Sequence, residues 1–316
     1  MKFKALVTDV RFRHYEIERD ILAPAGIELV INENGDDLAH AAKDMDALLV
    51  NLAPIDTALL THLDRCRVIS RYGVGYDNVD LAAAKKKGIA VTNVPDYCKY
   101  DSAEHTLALM LAAARRITVH DGRIRKGEWN ITQGNPVFRL RGRTYGIIGY
   151  GRTGRNVHRL ISNFGFGTIN VCSPTADEQE LRVSNARKVS LETLLRESDF
   201  ISCHVPLNDS TFHMIGEHEL SLMKPTAVFV NTSRGKVVDE AALTRALKAE
   251  RIGMAGLDVF EQEPIAQDSE LRSLENVVLT DHQAWYSEES IIELKRRVAE
   301  NVKAVLTGTG TASIVN

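Results

Sequence analysis

The clearest fold signal in the chain is RTYGIIGYGRTGRNVHRLISNFGFGTINVCS, residues 143–173. It opens with an apolar run that is typical of a buried strand and closes with a second one, Thr168–Cys172. Between the two runs, apolar residues recur at helical spacing. The pattern predicts one βαβ unit whose first strand and helix are joined by the glycine-containing turn 149–154.

The turn GYGRTG has the spacing of a phosphate-binding turn. Gly149 permits a tight turn, Gly151 lets the backbone approach a pyrophosphate, and Gly154 lets the helix lie close to the strand. Free N–H groups at the start of the helix attract the anion. The alternative is a glycine-rich turn without a ligand. The strand before the turn, and the helix and strand after it, favour a dinucleotide site.

Bulk composition limits the class of protein. A chain of 316 residues suits two domains, and 44% apolar residues with a net charge of -3 give no reason to expect nucleic acid as a partner. No apolar run reaches the roughly 18 residues of a membrane span, so a cytoplasmic protein is expected. The four cysteines lie far apart without a CxxC pair, which favours buried thiols over a metal or redox site.

Strand-like and helix-like segments alternate along the whole chain, which predicts an α/β fold of two doubly wound parallel sheets. A long helix is expected after residue 100, with Asp101 as its N-cap. The second sheet is complete near residue 284, so the last helix is left over and is expected to cover the first domain. The predicted domains are therefore 1–100 with 285–316, and a dinucleotide-binding domain over 101–284. The polar segment 123–141 is predicted to pack as an arm on a second subunit.

Three strand ends in the second half of the chain finish in polar clusters, which are NTSRG at 231–235, DVFEQEP at 258–264 and TDHQAW at 280–285. Because such ends converge, Arg234, Glu263 and His282 can meet there. His282 would be the acid that protonates a ketone oxygen during hydride transfer, and the base in the reverse reaction. Glu263 would favour its charged form, and Arg234 would hold a substrate carboxylate as a planar fork.

Each of these three residues also has an ordinary alternative as a surface charge or a satisfied polar group. Other chemistries lack their motifs, since His218-Glu219 is followed by Leu222 where a metal-binding helix needs histidine, and GxSxG is absent.

Taken together, the motifs resemble the D-isomer-specific 2-hydroxyacid dehydrogenases over nearly the whole chain. The resemblance is carried by RYGVGYDNVD at 71–80, NVPDYC at 93–98, EHT at 104–106 in the predicted helix, GYGRTG, HVPL at 204–207, NTSRGKVVDE at 231–240, LDVFEQEP at 257–264 and DHQAW at 281–285. Within that family, the chain resembles the type that includes phosphoglycerate dehydrogenase and glyoxylate/hydroxypyruvate reductase. AWYSE at 284–288 and NVPDYC are most similar to the branch of the C-terminal-binding proteins, which includes dehydrogenases and nicotinamide-sensing co-repressors.

The resemblance implies a role for each candidate residue. Arg234 would clamp the substrate carboxylate, Glu263 would pair with His282 as acid/base, and the backbones of Val74 and Gly75 would donate to the substrate. The implied cofactor contacts are Gly149, Gly151, Arg152, Thr153, Gly154, Ser173, Val205, Pro206, Thr211, Thr232, Ser233, Asp258 and His282. The implied fold is a flavodoxin-like substrate domain and a Rossmann cofactor domain with an active-site cleft between them, in a homodimer formed through the cofactor domains. No metal is implied.

Two departures from the family pattern affect these expectations. Ser173 stands where many members carry an acidic residue for the ribose hydroxyls, and Ser173 and Thr175 could donate to a 2′-phosphate, so the cofactor is NAD or NADP. Asp281 precedes His282 where proline is common, a departure that concerns the shape of that loop more than the catalytic role. Residues 51–55, Tyr97 and Trp285 are weaker candidates for the substrate pocket, together with Tyr72.

The leading hypothesis is a D-2-hydroxyacid dehydrogenase acting on a small 2-keto or 2-hydroxy acid. The alternative is a nicotinamide-sensing interaction protein with vestigial catalysis, which the intact Arg234, Glu263 and His282 disfavour. Glutamate at 263, where formate-oxidising relatives carry glutamine, argues against formate. The lack of a regulatory domain after residue 316 argues against the longer phosphoglycerate dehydrogenases.

Overall fold

The computed structural model describes residues 2–33, 35, 37–129 and 136–316. The chain divides into two compact units, Met1–Tyr97 with Ser287–Asn316, and Cys98–Tyr286. Part of the predicted arm, residues 130–135, lies outside the described residues. Within the described ranges no helix is long and apolar enough to cross a membrane.

The first unit is built on a five-stranded parallel sheet. Its strands are β1 (Phe3–Val7), β2 (Ile27–Ile31), β3 (Ala47–Val50), β4 (Val68–Arg71) and β5 (Ala90–Thr92), in the order β2-β1-β3-β4-β5. Its helices are α1 (Glu16–Leu22), α2 (Leu38–Ala42), α3 (Thr57–Thr61), α4 (Leu81–Lys86) and, last in the chain, α12 (Glu288–Thr307). Every residue of β3 is buried, as expected for a central parallel strand covered by helices on both faces. Helix α12 packs against α1 and β4.

The second unit holds a seven-stranded parallel sheet. Its strands are β6 (Thr144–Ile148), β7 (Thr168–Cys172), β8 (Ala186–Lys188), β9 (Phe200–Cys203), β10 (Val228–Asn231), β11 (Met254–Leu257) and β12 (Val277–Leu279). Its helices are α5 (Lys99–Ala114), α6 (Ile117–Arg125), α7 (Arg152–Ile161), α8 (Glu178–Val183), α9 (Leu191–Glu197), α10 (Glu217–Leu222) and α11 (Glu240–Lys248). The strand order is β8-β7-β6-β9-β10-β11-β12, so the winding reverses between β6 and β9, where ligands of doubly wound sheets bind.

Two apolar clusters cover the two faces of the second sheet. Phe229 belongs to the cluster under α9, α10 and α11, whereas its strand neighbours Val228 and Val230 belong to the cluster under α5 and α7. The alternation follows from the period of two along a strand. Both faces of the sheet are therefore covered by apolar side chains.

The structure corrects the predicted start of α5 and adds one short strand, β8. Helix α5 begins at Lys99, with Cys98 at its N-cap, so Asp101 is not the cap but lies in the first turn, where free N–H groups stabilise a carboxylate. Strand β8 was not predicted, because it has three residues of which only Ala186 is buried. Helices α11 and α12 begin after the N-caps Asp239 and Ser287, whose side chains each accept the amide three residues on. All four cysteines are free thiols.

Candidate active site

The polar residues singled out in the second unit follow the carboxyl ends of parallel strands, which all lie at one edge of the sheet. The residues are 149–151 after β6, Ser173 after β7, 204–206 after β9, 232–234 after β10, Asp258 after β11 and His282 after β12. Val74 and Gly75 belong to the first unit, on the loop after β4.

The glycine turn after β6 has the shape that a pyrophosphate needs. Gly149 has φ 89, and a Cβ there would lie 2.8 Å from the carbonyl carbon of His204. A Cβ at Gly154 would overlap the carbonyl oxygen of Gly149, so the start of α7 can pack on the turn only without a side chain. At Gly151, by contrast, a Cβ would meet nothing within 4 Å. The backbone is open at that point, so the turn fits a dinucleotide phosphate.

The turn is anchored by a pair that sequence reasoning missed. The buried hydroxyl of Tyr150 lies 2.6 Å from Nδ1 of His158, and Nε2 of the same ring lies 3.2 Å from the carbonyl oxygen of Ser184. A carbonyl only accepts, so Nε2 carries the proton and Nδ1 accepts from the tyrosine. Burial lowers the pKa of His158 and favours this neutral form. No sequence signal marks the pair, which joins the middle of a glycine motif to the helix behind it.

The end of β7 carries hydroxyl groups in place of a carboxylate. Oγ of Ser173 lies 3.3 Å from Oγ1 of Thr175. The ammonium group of Lys188, on the neighbouring strand β8, donates to the carbonyl oxygens of Pro174 and Ala176 at 3.2 Å each. This turn therefore combines two hydroxyls with a fixed positive charge.

The loop after β9 is held by Thr211. Its hydroxyl donates to the carbonyl oxygen of Pro206 at 2.7 Å and accepts the amide of Asn208 at 2.9 Å. Next to this loop, burial lowers the pKa of His204 to about 3. His204 is thus a neutral ring at physiological pH, with Nε2 2.9 Å from Oγ of Ser202.

Glu263 and His282 form the central pair of the site. Oε2 of Glu263 lies 2.7 Å from Nδ1 of His282, and its Oε1 accepts the amide of Phe260 at 3.0 Å. Because a carboxylate can only accept, Nδ1 carries a proton and Nε2 is left for another partner. Burial raises the pKa of Glu263, but the bond to His282 and the charges of His282 and Arg234 outweigh it, so the pKa lies below its usual value.

Arg234 is brought to this pair by its neighbour in sequence. A Cβ at Gly235 would overlap the carbonyl group of Phe260, so glycine alone lets the loop after β10 approach the loop that carries Glu263. The carbonyl oxygen of Arg234 accepts from Asn231 at 2.9 Å, and its guanidinium donates to the carbonyl oxygen of Ser233 at 2.8 Å. The structure therefore brings Arg234, Glu263 and His282 together.

Asp258 is fully buried and bonds within the protein. Its Oδ1 accepts from the hydroxyl of Thr280 at 2.6 Å and the amide of Gln283 at 2.8 Å, and its Oδ2 accepts the amide of Ala284 at 2.9 Å. Nε2 of His105 lies 3.3 Å from Oδ1. Burial raises the pKa of Asp258, but these hydrogen bonds outweigh it and hold the pKa below its usual value.

Helix α5 also reaches the loop after β10. Oγ1 of Thr106 lies 2.8 Å from Oγ1 of Thr232, while the hydroxyl of Ser233 donates to Oδ1 of Asn231 at 2.8 Å. Sequence reasoning used EHT at 104–106 only as a family motif. His105 contacts Asp258 and Thr106 contacts Thr232, so both residues of α5 support loops of the site.

Comparisons with known proteins place the chain in one family. The family model of the D-isomer specific 2-hydroxyacid dehydrogenase NAD binding domain matches residues 107–284. A glyoxylate reductase of Korarchaeum cryptofilum is 45% identical over a 284-residue alignment that covers 88% of this chain and 85% of the relative.

Two solved structures are similar over nearly the whole chain. D-lactate dehydrogenase of Aquifex aeolicus, complexed with NAD and lactic acid, has a TM-score of 0.87 and 31% identity and covers 96% of each chain. An acyclic imino acid reductase in complex with NADPH and D-Arg has a TM-score of 0.87 and 29% identity, over 99% of this chain and 100% of that chain.

Proposed function

Because the chain belongs to the D-isomer-specific 2-hydroxyacid dehydrogenase family, and is an oxidoreductase that uses NAD or NADP, we propose that it reduces glyoxylate or a similarly small 2-keto acid. The observation that carries the proposal is the pairing of Glu263 with His282 at 2.7 Å, beside Arg234. The similarity to a glyoxylate reductase supports the proposal that the substrate is small.

His282 supplies the proton in this reaction. Its Nδ1–H is held by Glu263, so a proton on Nε2 can pass to the carbonyl oxygen of the keto acid as negative charge develops there. Glu263 stabilises the charged imidazolium before the transfer. Arg234 binds the substrate carboxylate with two N–H groups, and its charge also polarises the keto oxygen. When bound, the nicotinamide supplies the hydride that reduces the carbonyl carbon.

The residues that hold the dinucleotide are proposed from the strand ends. The open backbone at Gly151 and the amides of Arg152 and Thr153 at the start of α7 take the pyrophosphate. Residues 205–207 flank the adenosine, and Thr232 and Ser233 flank the nicotinamide. Asp258 contributes indirectly, because its carboxylate holds the loop of Gln283 and Ala284 next to these residues.

The turn after β7 is proposed to admit NADPH. Ser173 and Thr175 offer hydroxyl groups and Lys188 offers a positive charge, where a carboxylate would exclude a 2′-phosphate. A carboxylate does follow at Asp177, but it caps helix α8 by accepting the amide of Gln179. In the first unit, Val74 and Gly75 are proposed to bind the substrate carboxylate through their backbone N–H groups.

A homodimer through the second unit is proposed from an exposed apolar surface, the α6 surface. Helix α6 has no buried residue, and Ile117 and Ile124, two helical turns apart on the same face, form the α6 surface. Trp129, which follows the helix, is 80% exposed. Large apolar side chains exposed on one helix face indicate an interface with another protein chain.

The activity is tested by the loss of reduced-nicotinamide absorbance, with NADH and NADPH compared, over glyoxylate, hydroxypyruvate, pyruvate, 2-ketobutyrate and phenylpyruvate. Turnover is expected with glyoxylate. Tight cofactor binding without turnover on any of these acids would contradict the proposal and favour the sensing alternative, which the comparisons do not favour. The similarity to the C-terminal-binding-protein branch and the cytoplasmic location stay predictions. Subcellular fractionation tests the latter.

A further inference from the structure

In the first unit, the loop after β4 is held by the segment after β5 through two consecutive carbonyl groups. The carbonyl oxygen of Gly73 accepts the amide of Val94 at 2.9 Å. The carbonyl oxygen of Val74 accepts from the side-chain amide of Asn93 at 2.7 Å. Both carbonyl groups therefore point towards the segment 93–94.

These two bonds also fix where the neighbouring N–H groups point. In a planar trans peptide the C=O and the N–H of the next residue face opposite ways. The N–H groups of Val74 and Gly75 are therefore directed away from Asn93 and Val94. Neither has a hydrogen-bond acceptor among the residues that the structure describes. The loop thus presents two adjacent, unused donors of the kind that binds a carboxylate.

Asn93 is itself held in place by the last helix and the segment after it. Its Oδ1 accepts the hydroxyl of Ser313, and its backbone carbonyl accepts the side-chain amide of Asn301, on α12, each at 3.1 Å. Oδ1 of Asn301 in turn accepts the amide of Ser313 at 3.1 Å. Asn93 is 6% exposed and Asn301 is 5% exposed. Because Val74 offers only a carbonyl oxygen, the atom of Asn93 that faces it must be the nitrogen.

We propose that Asn93 is a positioning residue, which directs the N–H groups of Val74 and Gly75 towards the substrate carboxylate. The inference rests on the proposed function, since it assumes that these two N–H groups bind a 2-keto acid. Asn301 and Ser313 serve the same purpose one step removed, by holding the side chain of Asn93. The motif NVPDYC, which marks the end of the first segment of this unit, thereby gains a role in substrate binding.

The test is Asn93→Asp, a substitution of nearly equal volume that replaces the donor by a second acceptor. A carboxylate oxygen would then face the carbonyl oxygen of Val74, and the peptide would turn away from it. We expect KM for glyoxylate to rise about 10- to 100-fold, because hydrogen bonds to a charged group are lost. The turnover number is expected to change less than about threefold, and the NADH affinity from fluorescence quenching to stay unchanged. The inhibition constant of oxalate, which cannot be reduced, should rise with KM.

A matched control is Asn276→Asp. Asn276 is 8% exposed, and its side chain also donates to a backbone carbonyl, that of Leu247, at 3.0 Å, but in the second unit. An equal rise of KM in this control, or no rise in Asn93→Asp, would overturn the inference. If Asn93→Asp does not fold, Ser313→Ala serves instead. It removes only the hydroxyl that orients Asn93, and a wild-type KM in that variant would count against the inference.

Failure of the proposed function looks different. A wild-type protein that reduces none of the 2-keto acids contradicts that function, and oxalate binding to the NADH complex then decides the role of Asn93. Oxalate affinity that is equal in wild type and Asn93→Asp, or absent from both, would overturn the inference.

Discussion

The backbone N–H of His282 donates to the carbonyl oxygen of Asp258, with 2.9 Å between the two atoms. The carboxylate of the same aspartate accepts the amides of the next two residues, Gln283 and Ala284. His282 has φ 59, a conformation that non-glycine residues seldom adopt. One buried aspartate thus imposes the backbone shape that aims His282, although Asp281 stands where the family commonly has proline.

Asp258→Asn should therefore lower both stability and turnover. The asparagine would place an NH₂ group against an amide or hydroxyl donor, and a buried unsatisfied group costs about 1–3 kcal/mol. Asp199→Asn is the matched control, because Asp199 is also buried and accepts the amide of Thr144, but it precedes β9 at the other end of the strands. Both variants should lose stability in urea unfolding. Only Asp258→Asn should lose turnover beyond its folded fraction, and equal losses in both would refute the positioning of His282.

His282→Ala should lower kcat by about 10²- to 10⁴-fold, the usual contribution of general acid–base catalysis. NADH binding should persist. The second unit offers a control, because Nε2 of His213 lies 2.9 Å from Oε1 of Glu261 and forms another histidine–glutamate pair. His213→Ala should keep kcat within a few-fold of wild type. Near-wild-type turnover in His282→Ala would exclude proton transfer by this residue.

Stability of the second unit should fall as pH falls below about 6.5, the pKa of an exposed histidine. His204 has its pKa lowered to about 3 in the folded chain, and the pKa of His158 is lowered as well. The unfolded chain therefore binds protons that the folded chain does not, and stability is lost progressively between pH 6.5 and pH 3. For His204 the loss from pH 7 to pH 5 is about 2 kcal/mol.

Tryptophan fluorescence follows this unfolding, since Trp129 and Trp285 both lie in the second unit. His204→Asn should weaken the pH dependence of the urea midpoint. The exposed His218 provides the comparison, and His218→Asn should leave that dependence as it is. A midpoint that is the same at pH 7 and pH 5 in the wild type would contradict the neutral forms of His158 and His204.

Ser173→Asp should shift the cofactor preference towards NADH. A carboxylate at the end of β7 would repel a 2′-phosphate and could bind ribose hydroxyls instead. The ratio of kcat/KM for NADPH to that for NADH should fall at least about tenfold, because close like charges cost more than about 1.4 kcal/mol. Lys188→Ala should lower the same ratio, while the exposed Ser221→Asp should not. An unchanged ratio in Ser173→Asp would remove Ser173 from the cofactor site.

Ile124→Asp should convert a dimer into a monomer. The charge would lie in the α6 surface and would be buried without a partner on association. Ile292→Asp is the control, because Ile124 and Ile292 are both 55% exposed, the first on α6 and the second on α12. Light scattering after size-exclusion chromatography gives the mass. A dimer that survives Ile124→Asp, or a wild-type monomer, would exclude an interface on the α6 surface.

Much of the fold follows from local pattern. Strand β7 lies where its apolar run predicted it, and the glycine turn lies between a strand and a helix as its spacing indicated. Short apolar runs that are bounded by polar residues mark strands, because each strand crosses the buried sheet once and then leaves it in a polar turn. The same reasoning failed for β8 and for the first residue of α5, where burial and capping give weak local signals.

The residue types for hydride and proton transfer could also be found from sequence, since Arg234, Glu263 and His282 each follow a predicted strand, and parallel strand ends meet at one edge. How those residues are held depends on the folded chain and not on local sequence. The bonds of Asp258 span 25 and 26 residues along the chain, and the one between Asn93 and Ser313 spans 220. Periodicity reports which face of an element is buried, whereas the partner of a buried polar group depends on elements that the fold alone brings together.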